Sequence, residues 1–261
     1  MSQPLSRPEV LEEIARLYLE AGADLLETNT FGASPIKLAL HGLDAETEAV
    51  NREAVRAVRR AAAGRAYVVG SCGPSGRLLE PYGDVGEAAL LASFRRQMDA
   101  LAMAGVDAVC VETMTDLREA ALAIRAAKAA DPVLPVLATM TFDPTPRGYF
   151  TIMGVSVAAA AAGLAGAGAD AVGSNCGTGI VQMVAIAREF RAASRLPLVI
   201  QANAGLPRSL AGRTVYDETP AFLAEQAREL IAIGVAVIGG CCGTTPEHIR
   251  ALRAMVDDAR R

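Results

Sequence analysis

The chain is short of several things that would have directed its interpretation. Lysine and arginine total 25 against 29 acidic residues, a net charge of −4, and they form no cluster. A nucleic-acid footprint needs a basic stripe, so no nucleic-acid partner is expected. The opening residues, Met1-Ser-Gln-Pro-Leu-Ser-Arg-Pro8, have neither the basic start nor the apolar core of a secretory signal. The most apolar long window, residues 154–173, is built mainly of alanine and glycine and runs into Asp170. It is expected to form a small-residue helix packed closely on a sheet, not a membrane span, and no membrane partner is expected. No low-complexity linker or charge block divides the sequence, which implies one domain over residues 1–261. Five cysteines, an odd number with two adjacent, do not make a disulfide framework, so a reducing cytoplasm is the expected setting. Histidine occurs only twice, at His41 and His248, and neither copy lies within the cysteine motifs.

What is present is a regular alternation. Seven short β-branched or apolar runs recur: residues 24–30, 66–71, 107–113, 135–141, 171–175, 197–202 and 235–239. Runs that are apolar on both faces suit parallel strands covered by helices. Between them lie helical patterns such as residues 46–63, with Val50, Ala54, Ala57 and Val58 on one side and Arg52, Arg56 and Arg59 on the other. An internal echo reinforces the reading. Ala21-Gly-Ala-Asp24, Ala104-Gly-Val-Asp107, Ala167-Gly-Ala-Asp170 and the degenerate Ile233-Gly-Val-Ala236 each precede every second strand. In each, a glycine closes the helix and a strand follows. The three aspartates fall at strand starts, the face opposite the strand tips, where cap and loop duties are expected.

The expected fold is an α/β (β/α)₈ TIM-type barrel. A doubly wound open sheet is the alternative, but no Gly-x-Gly-x-x-Gly loop follows the first strand. A barrel needs eight strands and the sequence offers seven, because the chain enters directly into a helix. Ser6-Arg-Pro-Glu9 reads as its capping box with Ser6 as N-cap, and the strand that should come first is missing.

In a parallel barrel the chemistry lies at strand tips. The polar tips are Glu27, Thr28 and Asn29; Ser71 and Gly73; Glu112 and Thr113; Thr141 and Asp143; Asn175 and Cys176; Asn203; and Cys241 with Cys242. Two buried-type strands therefore end in cysteine, one of them in an adjacent pair. Three sulfurs without a nearby histidine suit zinc, and three protein ligands leave a fourth position for substrate or water. Adjacent residues on a regular strand point to opposite faces. For Cys241 and Cys242 to share a metal, the strand has to end at the first and turn at the second, which Gly239, Gly240 and Gly243 permit. A vicinal Cys241–Cys242 disulfide is a weaker alternative. Cys110 in mid-strand and Cys72, expected in a turn, read as structural. His248 reads as part of the first turn of the last helix, capped by Thr245 and started by Pro246.

Taken together, Gly239-Gly-Cys-Cys-Gly-Thr-Thr-Pro246, Ser174-Asn-Cys-Gly177, Asn203-Ala-Gly-Leu-Pro207 and Glu27-Thr-Asn-Thr-Phe31 resemble the homocysteine S-methyltransferase family. Within it, the likeness is to the homocysteine-binding barrels of cobalamin-dependent methionine synthases. The resemblance implies a (β/α)₈ barrel that holds zinc on Cys176, Cys241 and Cys242 and methylates homocysteine to methionine. It implies Glu112 as the carboxylate for the substrate's ammonium, and Asn203 as occupant of the metal's fourth position when substrate is absent. Glu27 and Asn29 are expected to line the pocket, and N–H groups of the Ser71–Gly76 turn, including Gly73, to receive the substrate carboxylate. The expected partners are homocysteine and a methyl donor, with a methylcobalamin-carrying protein favoured. The family's usual opening Asp-Gly-x-x-Gly-Thr segment is not found here. Two functions follow from this: a zinc-dependent methyltransferase, or a zinc- and homocysteine-binding module that does not turn over on its own.

Overall fold

The computed structural model describes residues 3–210 and 212–261. All seven expected runs are strands: β1 Leu25–Glu27, β2 Tyr67–Cys72, β3 Ala108–Met114, β4 Val136–Met140, β5 Ala171–Asn175, β6 Leu198–Ala202 and β7 Val237–Gly240. They pair in parallel and in chain order from β1 to β7. Eight longer helices accompany them: α1 Pro8–Glu20, α2 Thr47–Ala62, α3 Glu87–Ala104, α4 Leu117–Ala130, α5 Val157–Ala167, α6 Ile180–Ala193, α7 Pro220–Ile233 and α8 Pro246–Ala259. Two short antiparallel hairpins, Asp143–Thr145 with Gly148–Phe150 and Arg208–Leu210 with Arg213–Val215, are carried by the loops after β4 and β6. This is a TIM-type barrel short of one strand, open between β1 and β7. No helix among the described residues is long and apolar enough to cross a membrane.

The packing follows from strand alternation. One set of strand side chains, including Val68, Val109, Val111, Val136, Val172, Leu198 and Ile200, meets the helices in the main core. The other set, Val69, Ala108 and Cys110 with Leu25 and Leu137, fills the inner layer. At Gly173 a Cβ would come within 1.8 Å of the Val199 carbonyl oxygen, so only glycine allows β5 and β6 this approach. The small-residue helix α5 buries Val157, Ala160, Ala161 and Leu164, and Gly163 lets Leu117 of α4 lie against its backbone.

The four echoed glycines all adopt positive φ: 98° at Gly22, 82° at Gly105, 105° at Gly168 and 83° at Gly234. The aspartates that follow them staple the lower rim. Asp107 Oδ2 accepts from the Val68 N–H at 2.6 Å and from Arg59 at 2.8 Å. Asp170 Oδ2 accepts from the Val136 N–H at 2.7 Å and from Lys128 at 2.6 Å. Asp24 accepts from Arg253 of α8 at 2.8 Å.

Two local expectations are corrected. Ser6 is not the cap of α1: it ends a separate short helix, Gln3–Ser6, and Arg7 holds the N-cap position without a side-chain cap bond. With Pro8 at the helix start, one fewer backbone donor needs a cap. Cys72 is the last residue of β2 and fully buried, because the strand runs one residue further than its apolar pattern.

The opening between β1 and β7 is a cavity of about 610 Å³. It is lined by Ala15 and Tyr18 of α1, Leu252 and Val256 of α8, and Glu27 and Gln201 of the sheet. Every residue of β7 is only half-buried, whereas every residue of β5 is buried. Arg253 Nε and Gln201 Oε1, both on residues lining this space, are buried without a hydrogen-bond partner.

Candidate metal centre

Cys176 follows the last residue of β5 and adopts a left-handed conformation, φ 61°. Its N–H donates to the Gln201 carbonyl at 3.1 Å, which extends the ladder to β6 by one step before the chain turns. Gly177 also has positive φ, 75°, and a Cβ there would meet Thr141 Cγ2 at 2.7 Å. Cys241 likewise follows its strand, donating to the Ala202 carbonyl at 2.7 Å. Its own carbonyl accepts from the Thr244 hydroxyl at 2.7 Å and the Thr244 N–H at 3.2 Å, closing a tight turn. Gly243, φ 79°, makes that turn, and the Tyr216 ring lies against it where a side chain would otherwise stand. The turn brings adjacent sulfurs to one side, as sharing a metal requires.

The Sγ atoms of Cys176, Cys241 and Cys242 all lie within 4.8 Å of one another. Cys176 and Cys241 are half-buried and Cys242 is exposed. The pair Cys176–Cys242 is 3.8 Å apart. Two Zn–S bonds of about 2.3 Å at a tetrahedral angle would hold sulfurs about 3.8 Å apart, so this spacing suits a tetrahedral metal.

The protonation of the cluster points the same way. The Cys176 thiol is pulled down to about 5, chiefly because Cys241 donates to its sulfur; the Gly177 N–H, Cys242 and Asn203 donate as well. Cys241 is pushed up for the converse reason, as donor to Cys176, and by burial. Cys242 is raised by burial and by the charge on Cys176. The first proton leaves easily and the next are held back by accumulating negative charge. A cation among the sulfurs would remove that penalty. Cys72 and Cys110 lie apart from the cluster, buried, with thiols raised by burial.

Beside the sulfurs lies a buried polar network. Glu112 and Thr113 sit at a register shift between Val111 and Met114 of β3. Such a bulge re-aims side chains near functional sites. The Ser71 hydroxyl donates to Glu112 Oε1, and the Asn175 side-chain amide donates to Oε2 at 3.3 Å. Burial, then the charge of Glu27, pushes the Glu112 carboxyl up to about 8. Glu27 is exposed at the edge of the strand opening, accepts from Gln201 at 3.0 Å, and has its carboxyl raised by the partial loss of solvation there. It lines the cavity in the strand opening. Asn29 is exposed in the loop after β1.

Asn203 is 3% exposed and is bound into the sulfur frame. Its Oδ1 accepts from the Cys242 N–H at 3.0 Å and its amide donates to the Cys176 sulfur. Three of the N–H groups expected to receive a carboxylate have acceptors within the protein. Ser71 donates to Thr28 Oγ1 at 3.2 Å, Gly73 to the Phe31 carbonyl at 2.8 Å and Ser75 to Glu119 at 2.8 Å. These acceptors hold the turn in place. His248 uses both ring nitrogens: Nδ1 accepts from the Thr245 N–H at 3.1 Å, and Nε2 donates to the Glu218 carbonyl at 3.0 Å. That completes the cap of α8 and leaves no nitrogen for a metal.

Four residues had no functional role in the sequence reading and take one here. Asn175 was legible only as a polar strand tip, Gln201 and Thr139 not even as that. Tyr216 covers the Cys242–Gly243 turn and hydrogen-bonds Cys242.

The chain resembles known proteins along nearly its whole length. It is 34% identical to the methionine synthase of Mycobacterium tuberculosis over 98% of its own length, and 35% identical to that of Mycobacterium leprae over 96%. It spans only 22% and 21% of those two proteins. Among solved structures, the metallated form of the homocysteine methyltransferase MmuM from Escherichia coli superposes with a TM-score of 0.80 at 27% identity, covering 97% of this chain and 86% of that one. Its oxidised form gives 0.79 over the same shares. The model of the homocysteine S-methyltransferase family matches residues 1–256. With that match over nearly its full length, and with relatives above 30% identity, the chain belongs to the homocysteine S-methyltransferase family.

Proposed function

We propose that this chain, acting as one domain over residues 1–261, transfers a methyl group to the thiol of homocysteine and gives methionine, with zinc held by Cys176, Cys241 and Cys242. The observation that carries this reading is the meeting of these three sulfurs within 4.8 Å at the tips of β5 and β7. The family's named reaction and the metallated state of its E. coli relative support it. When bound, zinc would let a substrate thiol, with an ordinary pKa near 8.5, give up its proton at neutral pH.

The chain's own residues do the rest. The three cysteines supply the negative frame, and Asn203 orients two of them by binding the Cys242 N–H and the Cys176 sulfur. Glu112 takes the substrate's ammonium. Buried and raised to about 8 when alone, it gains from an ammonium the counter-charge it lacks, and it ionises on pairing. Ser71 and Asn175 hold its two oxygens. Methyl transfer forms a carbon–sulfur bond, breaks the bond to the donor and releases the thiol proton. The product thioether is neutral and a poor ligand, which favours release. Glu27 lines the interior beneath. The donor we favour is a methylcobalamin-carrying protein, in keeping with the methionine synthase relatives. Five free cysteines accord with a reducing cytoplasm.

The test is direct. Zinc-loaded protein should bind one ion per chain, release a proton when homocysteine is added, and form methionine from a methylcobalamin donor. Full zinc and full activity in Cys176→Ser would end the assignment. A second reading, a zinc- and homocysteine-binding module that depends on a larger assembly, is favoured by the cavity of about 610 Å³ that leaves the barrel open. Proton release without methyl transfer would select it.

A further inference from the structure

Asn175 is fully buried at the end of β5, immediately before a cluster cysteine. Its Oδ1 accepts from the Thr113 N–H at 2.7 Å and from the Thr139 hydroxyl at 2.7 Å. With both donors on that side, the oxygen is fixed there and Nδ2 must face the other way. Nδ2 donates to Thr113 Oγ1 at 2.8 Å and to Glu112 Oε2 at 3.3 Å, and lies 3.8 Å from the Cys241 sulfur. One side chain thus joins β3, β4, β5 and the sulfur turn after β7.

The backbone on either side of this amide is strained. Among the described residues, Thr113 at φ 59° and Cys176 at φ 61° are two of only three residues other than glycine in the left-handed region. A β-branched threonine resists that conformation, and such outliers persist only where surroundings over-determine them. Asn175 binds Thr113 twice, through its N–H and its hydroxyl, and precedes Cys176 in the chain. A purely structural amide would need only the threonine contacts. This one turns its second face to a carboxylate and a sulfur.

We propose that Asn175 is a positioning residue that aims the Glu112 carboxylate at the substrate's ammonium and ties it to the Cys241 sulfur, so that the two ends of an amino-acid thiol are received in one frame. The inference rests on the reading of Glu112 as the ammonium's partner. It makes Asn175 a determinant of selectivity for a thiol that carries an ammonium at the right distance.

The experiment measures binding of homocysteine and of 4-mercaptobutyrate, which keeps the thiol and carboxylate but has no ammonium. Calorimetry is run on zinc-loaded wild type, E112Q, N175D, T139V, N175D/E112Q and T139V/E112Q, with zinc content and thermal melting recorded for each. N175D keeps both acceptor contacts, loses both Nδ2 donors and sets a second carboxylate beside Glu112, so it is read together with T139V, which adds no charge. T139V removes one donor to Asn175 without touching Glu112 or a sulfur. E112Q and N175D should each cut the preference for homocysteine on the order of tenfold, the loss expected of one charge-assisted contact. KM for homocysteine should rise more than kcat falls, with zinc retained. T139V should give a smaller loss in the same direction. The double variants should be no worse than E112Q alone, because Asn175 acts through Glu112. If N175D does not fold, T139V and its double with E112Q carry the test. A preference narrowed by E112Q but untouched by N175D and T139V overturns the role of Asn175 alone, as does simple additivity. An unchanged preference in E112Q removes the Glu112 reading and this inference with it.

Discussion

The sulfurs of Cys176 and Cys242 lie 3.8 Å apart although the two residues are 66 positions apart in the chain. No local structure could bring them together; the curl of the sheet and two strand-end turns do. Replacing Cys176 by serine removes one of the three soft ligands. Zinc affinity, read by chelator competition, should fall by more than the roughly 10–100-fold typical of changes to residues that merely support a ligand. Melting temperature without metal should change little.

In metal-free protein the cysteines should separate by reactivity. The thiolate is the nucleophile, and Cys176 is held down to about 5 against an ordinary value near 8.5. At pH 6.5 iodoacetamide should label Cys176 first, while Cys72 and Cys110, buried and raised, stay unlabelled. Because Cys241 is the main donor to that sulfur, Cys241→Ala removes that support. The pH midpoint for labelling Cys176 should then move up. Peptide mapping by mass spectrometry reads both outcomes.

Gly173→Ala tests the sheet. The added carbon would stand 1.8 Å from the Val199 carbonyl oxygen, backbone that cannot swing aside. Overpacking of this kind costs about 1–3 kcal/mol or more. At roughly 2–4 °C per kcal/mol for a chain near this size, the melting temperature should drop by several degrees. A melting temperature within a degree of wild type would contradict the close approach of β5 and β6.

The opening in the barrel predicts an uneven response to hydrogen exchange. β1 and β7 each have a neighbour on one side only, and β7 is half-buried throughout. Their amides should exchange faster than those of β3, β4 and β5, which are paired on both sides. Equal protection across all seven strands would contradict an open edge.

Much of this molecule was legible residue by residue. Alternating apolar runs gave all seven parallel strands. The echoed Ala-Gly units located left-handed helix ends at Gly22, Gly105, Gly168 and Gly234. The cysteine motifs carried the metal cluster and the family likeness. These features are written in neighbouring residues, where backbone sterics, strand alternation and cap chemistry act over a few positions. The capping box was the local signal that misled: Ser6 and Glu9 have the right spacing, but the short helix Gln3–Ser6 takes the serine first.

Tertiary structure alone decided the rest. The Ser71, Gly73 and Ser75 amides look free in a glycine-rich turn until Thr28, Phe31 and Glu119 arrive from other parts of the chain. Glu112 is an ordinary carboxylate in sequence; burial and the charge of Glu27 raise it. Asn175 becomes the centre of a network only because a bulge in β3 turns Glu112 and Thr113 towards it. Each depends on which strands lie side by side and in what register. The composition of a segment says that it will be a strand and which residues sit at its tip. Only the closing of the sheet sets which tips meet, because that is fixed by pairing between residues distant in the chain.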